Sequence, residues 1–125
     1  MIAAAEVSVD SPASPQLAAE LWISLVSLLS SHVAMHSIAR PESKLRVHSS
    51  SSTRLDVLGP IGKLTILAPD ASGTGVTEFR PEAGELGDEY DTFFFTEEGL
   101  LQFAALDGAL DMEASVDNLL RKVQA

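Results

Sequence analysis

Between positions 15 and 41 the apolar residues recur at helical spacing. Ser14 followed by Pro15 reads as a helix start, because the Ser side chain accepts from an orphan N–H and Pro is tolerated at the first helical position. Pro41 disfavours helical geometry at Arg40, so the pattern predicts a helix over 15–39. At about 100° per residue, Gln16, Glu20, Ser24, Ser27 and Ser31 fall on one stripe, predicted to face water. Ala18, Leu21, Trp22, Leu25 and Leu29 form the opposite, core-facing line, which His32 and His36 prolong.

After Pro41 the period changes to two. Leu45 and Val47, Leu55 and Val57, and Leu64 and Ile66 alternate with polar residues and predict a three-stranded meander. With residues 49–53 as the first connection, Val47 faces Leu55, Leu45 faces Val57 and Arg46 faces Asp56. With residues 59–62 as the second, Val57 meets Leu64 and Leu55 meets Ile66. Residues 68–89 are rich in Gly, Pro and acid and read mainly as loop, with a short strand at 76–80 as the alternative. Two Glu and a Gly at 97–99 then predict a hairpin turn closed by a residue with positive φ, setting Phe95 against Leu101 and Phe93 against Phe103. Asp107-Gly108 ends the sheet. Asp111 is placed to cap a final helix in which Met112, Val116, Leu119, Leu120 and Val123 share a face.

These elements predict an α+β fold: an antiparallel sheet of five strands, six if 76–80 pairs, with a long N-terminal and a C-terminal helix on one face, in the order α-βββ-loop-ββ-α. Residues 1–13 read as a flexible tail ahead of a single domain over 14–125. The opening residues have no basic n-region, so they do not read as a secretory signal. Residues 21–39 carry no formal charge, yet four Ser between Ser24 and Ser31 and two His beyond them make a buried helix of a globular domain a better reading than a bilayer span. A cytoplasmic protein is the resulting expectation.

Composition narrows the chemistry. Without Cys there is no disulfide, thiolate metal site or Cys nucleophile. A net charge of −10 disfavours nucleic acid. The charge is segregated: five of the eight basic residues lie between positions 40 and 63, and thirteen of the eighteen acids between 70 and 117. In the predicted register Arg46, His48 and Arg54 share the outward face of the sheet with Leu58, Leu67 and Phe94. An outer face that is both locally basic and partly apolar points to a partner surface, either a homodimer packed through the sheet or a groove for a polypeptide segment.

His32 and His36 stand one helical turn apart, the spacing of two zinc ligands, but Val33 occupies the place of the Glu that the hydrolase motif requires. His48 has the wrong strand parity to join them. Asp88, Glu89 and Asp91 of the acidic loop are the better candidates to complete a ligand-binding site with the two histidines. No spacing matches a calcium loop, a phosphate-cradling loop or a nucleophile with its base. No cofactor or metal is therefore assigned, and a non-enzymatic role is expected.

In size, acidity and element order, residues 15–124 are similar to the specialised chaperones of bacterial secretion systems. These are small acidic dimers with a helix, three strands, an intervening element, two strands and a final helix. The Gly- and Pro-rich stretch 70–89 departs from the helix such chaperones use there. The resemblance implies a dimer that binds a polypeptide. The sequence thus supports a chaperone-like or adaptor-like interaction module acting through the outer sheet face. The alternative is a small-molecule or metal-binding protein with a pocket between the first helix and the sheet.

Overall fold

The computed structural model describes residues 11–82 and 87–124. The predicted tail over 1–10 and the part of the acidic loop at 83–86 lie outside these. The chain runs through α1 (Pro15–Ala39), a 3-10 turn (Pro41–Ser43), β1 (Arg46–Ser50), β2 (Arg54–Gly59), β3 (Gly62–Leu67), β4 (Gly75–Pro81), β5 (Glu89–Phe95), β6 (Leu101–Phe103) and α2 (Met112–Gln124). The strands form one antiparallel sheet in sequence order, the α+β arrangement expected, with six strands. The alternation of Val76, Thr77, Glu78, Phe79 and Arg80 is a true strand pattern, and β4 pairs along its length with β3 and β5.

Ser14 caps α1, its side chain accepting from the Leu17 N–H at 3.2 Å, with Pro15 at the first helical position. Trp22, Leu25, Leu29 and Val33 form the buried line of this helix. The core line thus continues through Val33, and the two histidines flank it. Asp111 caps α2, accepting from the Ala114 N–H at 2.7 Å. Val116, Leu119, Leu120 and Val123 of α2 join the same core. The last residues that the sequence assigned to the tail are anchored: Ala13 N–H donates to Phe95 O and Glu97 N–H to Ser11 O, alongside the end of β5.

The β2–β3 and β5–β6 registers follow the hydrophobic pattern: Val57 faces Leu64, Leu55 faces Ile66, Phe93 faces Phe103 and Phe95 faces Leu101. The predicted β1–β2 register needs correction. Val47 faces Val57, Arg46 faces Leu58, and the ladder shifts between Val47 and Ser49. The consecutive serines at 49–52 offer no apolar side chain to pin the pairing. Ser49 instead donates to the Asp56 carboxylate at 2.7 Å, and a tight turn closes with Ser51 N–H on Arg54 O. An irregularity at His48 absorbs the extra residue and keeps Val47 directed inward.

Three phenylalanines fill one end of the inner face. Phe93 stands edge-on to Phe95 with centroids 5.6 Å apart and tilts against Phe103 at 5.8 Å. The Phe93 ring occupies the space above Gly75, its cross-strand neighbour, where any Cβ would strike the ring and the Leu67 carbonyl. At the β2–β3 turn, Val123 of α2 lies directly on Gly59.

Gly75→Ala is expected to destabilise the fold by about 2 kcal/mol through overpacking against Phe93, visible as a lower urea midpoint with unchanged slope. A variant as stable as the wild type would show that Phe93 moves aside freely.

Candidate functional site

The sheet exposes an outer face, and the sequence placed a partner surface there. Arg46, Arg54, Leu58, Leu67 and Phe94 all lie on it by register. His48 falls at the irregularity in β1, where no cross-strand pair fixes its direction. The charges on this face are largely paired within it. Arg54 Nε lies 3.2 Å from both carboxylate oxygens of Asp56. Arg80 bonds Asp88 and Glu78, each at 3.3 Å, and Tyr90 donates to Glu78 at 3.1 Å.

Asp56 anchors the paired set. It is 4% exposed and accepts from Thr65 Oγ1 and Ser49 Oγ, each at 2.7 Å, as well as from Arg54. Burial works to raise its pKa, but the hydrogen bonds from Thr65, Ser49 and Arg54 outweigh it and hold the carboxyl below its ordinary value of 3.8. Thus β1, β2 and β3 are clamped across the outer face by one carboxylate.

The five residues grouped as a ligand site do not come together. His32 Nε2 lies 3.5 Å from Glu113 Oε1, with side chains 39% and 70% exposed, a solvated contact between α1 and α2. His36 Nδ1 lies 3.5 Å from Gln124 Nε2 at the other end of α2. Glu89 and Asp91 line a small pocket of about 120 Å³ with Thr77 and Lys122. Asp88 is engaged by Arg80 on the outer face. Among the described residues no three His, Cys, Asp or Glu side chains converge as metal ligands. The helical spacing of the histidines was legible, but their partners depended on where α2 crosses α1.

A larger concavity lies elsewhere. A groove of about 910 Å³ runs beside the first half of α1, between that helix and the loops at 51–53 and 68–73. Ala18, Ala19, Trp22, Ile23 and Val26 form its helical wall, and Ala68, Pro69 and Ala71 the opposite one. The small side chains of Ala18 and Ala19 leave the space. Trp22 is 5% exposed at the groove and donates through Nε1 to Ser52 O at 2.9 Å, tying the helix to the β1–β2 turn.

The far wall is held in shape by Asp70. Its carboxylate accepts from the Ser72 hydroxyl and from the Ser72 N–H at 2.8 Å, and Gly73 takes φ of +86° with its N–H on Asp70 O. Donation from the Ser72 side chain, then from its backbone, keeps the Asp70 carboxyl below its usual value, so it is ionised at neutral pH. The groove therefore offers aliphatic and indole surface, hydroxyls from Ser27, Ser51, Ser52 and Thr53, and one anionic group. Its described lining has no Lys, Arg or His. Sequence reasoning missed this site because its walls come from three separated segments. The Ala18-Ala19 pair beside the single Trp was the one available signal.

No protein-family model, curated protein or solved structure matches the chain.

Asp56→Ala is expected to lower stability by about 1–3 kcal/mol at pH 7, because it leaves its buried hydroxyl donors unpaired. Because the Asp56 pKa is depressed in the fold, its contribution is complete above the unfolded value and is lost as pH falls through the folded one. Chemical denaturation at pH 7 and at about pH 3 should show the gap between wild type and variant closing in acid. A gap that widens in acid would contradict this account.

Proposed function

We propose that the protein is a binding module that takes a small, largely apolar molecule, neutral or cationic, into the groove between α1 and the two hairpin loops. The observation that carries this reading is the groove itself: about 910 Å³, within the range of roughly 300–1,000 Å³ typical of small-molecule sites and lined like them by apolar side chains with a few polar groups. The charge of the guest follows from the lining. Ionised Asp70 attracts a cation, and the described lining residues supply no cation to receive an acid. Binding is favoured over catalysis because the hydroxyls of the groove have no described imidazole, amine or thiol beside them to act as base or nucleophile.

A polypeptide partner on the outer sheet face is the second reading. Leu67, 37% exposed, neighbours Val76 across the strands, and Phe94 lies on the same face. This apolar strip supports a protein contact of the chaperone-like or adaptor-like kind. The groove has the stronger claim because Arg54, one of the basic residues expected to attract the partner, is already engaged by Asp56.

The only Trp of the chain sits at the groove and serves as the reporter. Titration with the neutral dye N-phenyl-1-naphthylamine is expected to change Trp22 emission saturably, and Ala19→Phe, which fills the groove, to weaken the dye at least about tenfold. Dodecylamine should displace the dye better than dodecanoate does. Absence of saturable binding, or a preference for dodecanoate, would count against the reading.

A further inference from the structure

We infer that the small pocket between α2 and the inner face of β4 and β5 holds a free amino acid of the size of glycine or alanine, its ammonium at Glu89 and Asp91 and its carboxylate at Lys122. The pocket is separate from the groove beside α1, and the inference does not rest on the ligand proposed there.

The alternation of β5 is inverted at this spot. Phe93 and Phe95 occupy the core-facing parity of the strand, and the same parity carried back toward its start falls on Asp91 and Glu89. Their cross-strand neighbours Thr77 and Phe79 are both buried. Tyr90, which would suit the core better, is 68% exposed. Two carboxylates on a face that should be apolar break the pattern of the strand, and such breaks are expected at functional sites.

Thr77 points independently to a guest. It is 2% exposed, and its hydroxyl has no hydrogen-bond partner among the described residues. The other buried hydroxyls, those of Thr65, Thr96 and Ser115, are all paired within the fold. Among the described residues no wholly enclosed side-chain oxygen goes unpaired, so the sliver of Thr77 that stays accessible includes Oγ1, and Thr77 lines the pocket. A ligand that meets this hydroxyl relieves the cost of leaving it unmatched.

The lining sets the chemistry of the ligand. Glu89, Asp91 and the Thr77 oxygen offer three acceptors, one for each N–H of a primary ammonium. Asp91 Oδ1 takes the Thr92 N–H at 2.8 Å, which steadies the carboxylate and leaves Oδ2 to the guest. Lys122 lines the same pocket, yet among the described residues no ion pair joins it to either carboxylate. Charges of both signs thus face one cavity without meeting, and a molecule that carries both signs satisfies them together. A divalent metal fits poorly, because the Lys122 ammonium repels it and no three His, Cys, Asp or Glu side chains converge among the described residues. The volume of about 120 Å³ is that of about four waters, or roughly six non-hydrogen atoms, which admits glycine or alanine. Phe79 and Ala105 supply the apolar lining for a methyl group.

The test follows the amide resonances of Thr77, Glu89, Asp91 and Ala105 in the isotope-labelled chain. Glycine and alanine, added to about 20 mM, should shift them saturably, whereas methylamine, acetate and leucine should bind at least about tenfold more weakly. Lys122→Met should bring alanine down to the affinity of methylamine without weakening methylamine itself. Thr77→Val, which keeps the branched shape, should weaken alanine at least about fivefold, with unchanged circular dichroism and unchanged dye binding in the groove. No saturable shift with either amino acid overturns the inference. So does methylamine or calcium binding as tightly as alanine, which would make the pocket a plain cation site, or a Lys122→Met variant that binds alanine as well as the wild type does.

Discussion

The seating of Phe93 above Gly75 is the contact on which most of the architecture depends. It brings the start of β4 against the middle of β5, where a side chain in place of the glycine hydrogen would force the two apart. Phe95 and Phe103 close around the same ring, so the three strands that end the sheet share one aromatic nucleus. The loop that leads into Gly75 is the wall of the groove, and the Asp70 turn fixes its course. The depth of the groove is thus set by the same strand pairing that sets the core.

Two devices hold the other half of the sheet. On the inner face Leu55, Val57, Leu64 and Ile66 pack beneath the helices, and none is more than 0% exposed. On the outer face the Asp56 carboxylate gathers donors from β1, β2 and β3. The inner set fixes the parity of each strand, and the outer set fixes the register of β1, which its serines leave undetermined. Trp22 links both to α1 through its bond to the β1–β2 turn.

Much of this was legible in the residues. The bounds of α1 follow from Ser14-Pro15 and Pro41, the turn at Gly99 with φ of +87° from the preceding two Glu, and the β2–β3 and β5–β6 pairs from simple alternation. The β1–β2 register was not, because a side-chain hydrogen bond and a strand irregularity decide it, and neither leaves a hydrophobic trace. The histidines on α1 flank the core line rather than prolong it, and proximity in the fold belongs to Glu113 and Gln124 rather than to the acidic loop. The groove was invisible for a related reason: it is the space left by residues that are small, and pattern reading attends to residues that are large.

The borders of the sheet limit how this chain can aggregate. β6 is three residues long, and its Leu101 exchanges both backbone bonds with Leu110. β1 is interrupted at His48, and Lys44 just before it holds a left-handed backbone at φ of 63°. Among the described residues, the short β6 held by Leu110 and the interrupted β1 each offer a newcomer strand a poor template. Growth by backbone zippering, the route to fibres, is therefore hindered at both ends of the sheet. Contacts with other molecules fall to side chains, which selection can alter one at a time without exposing the chain to runaway polymerisation.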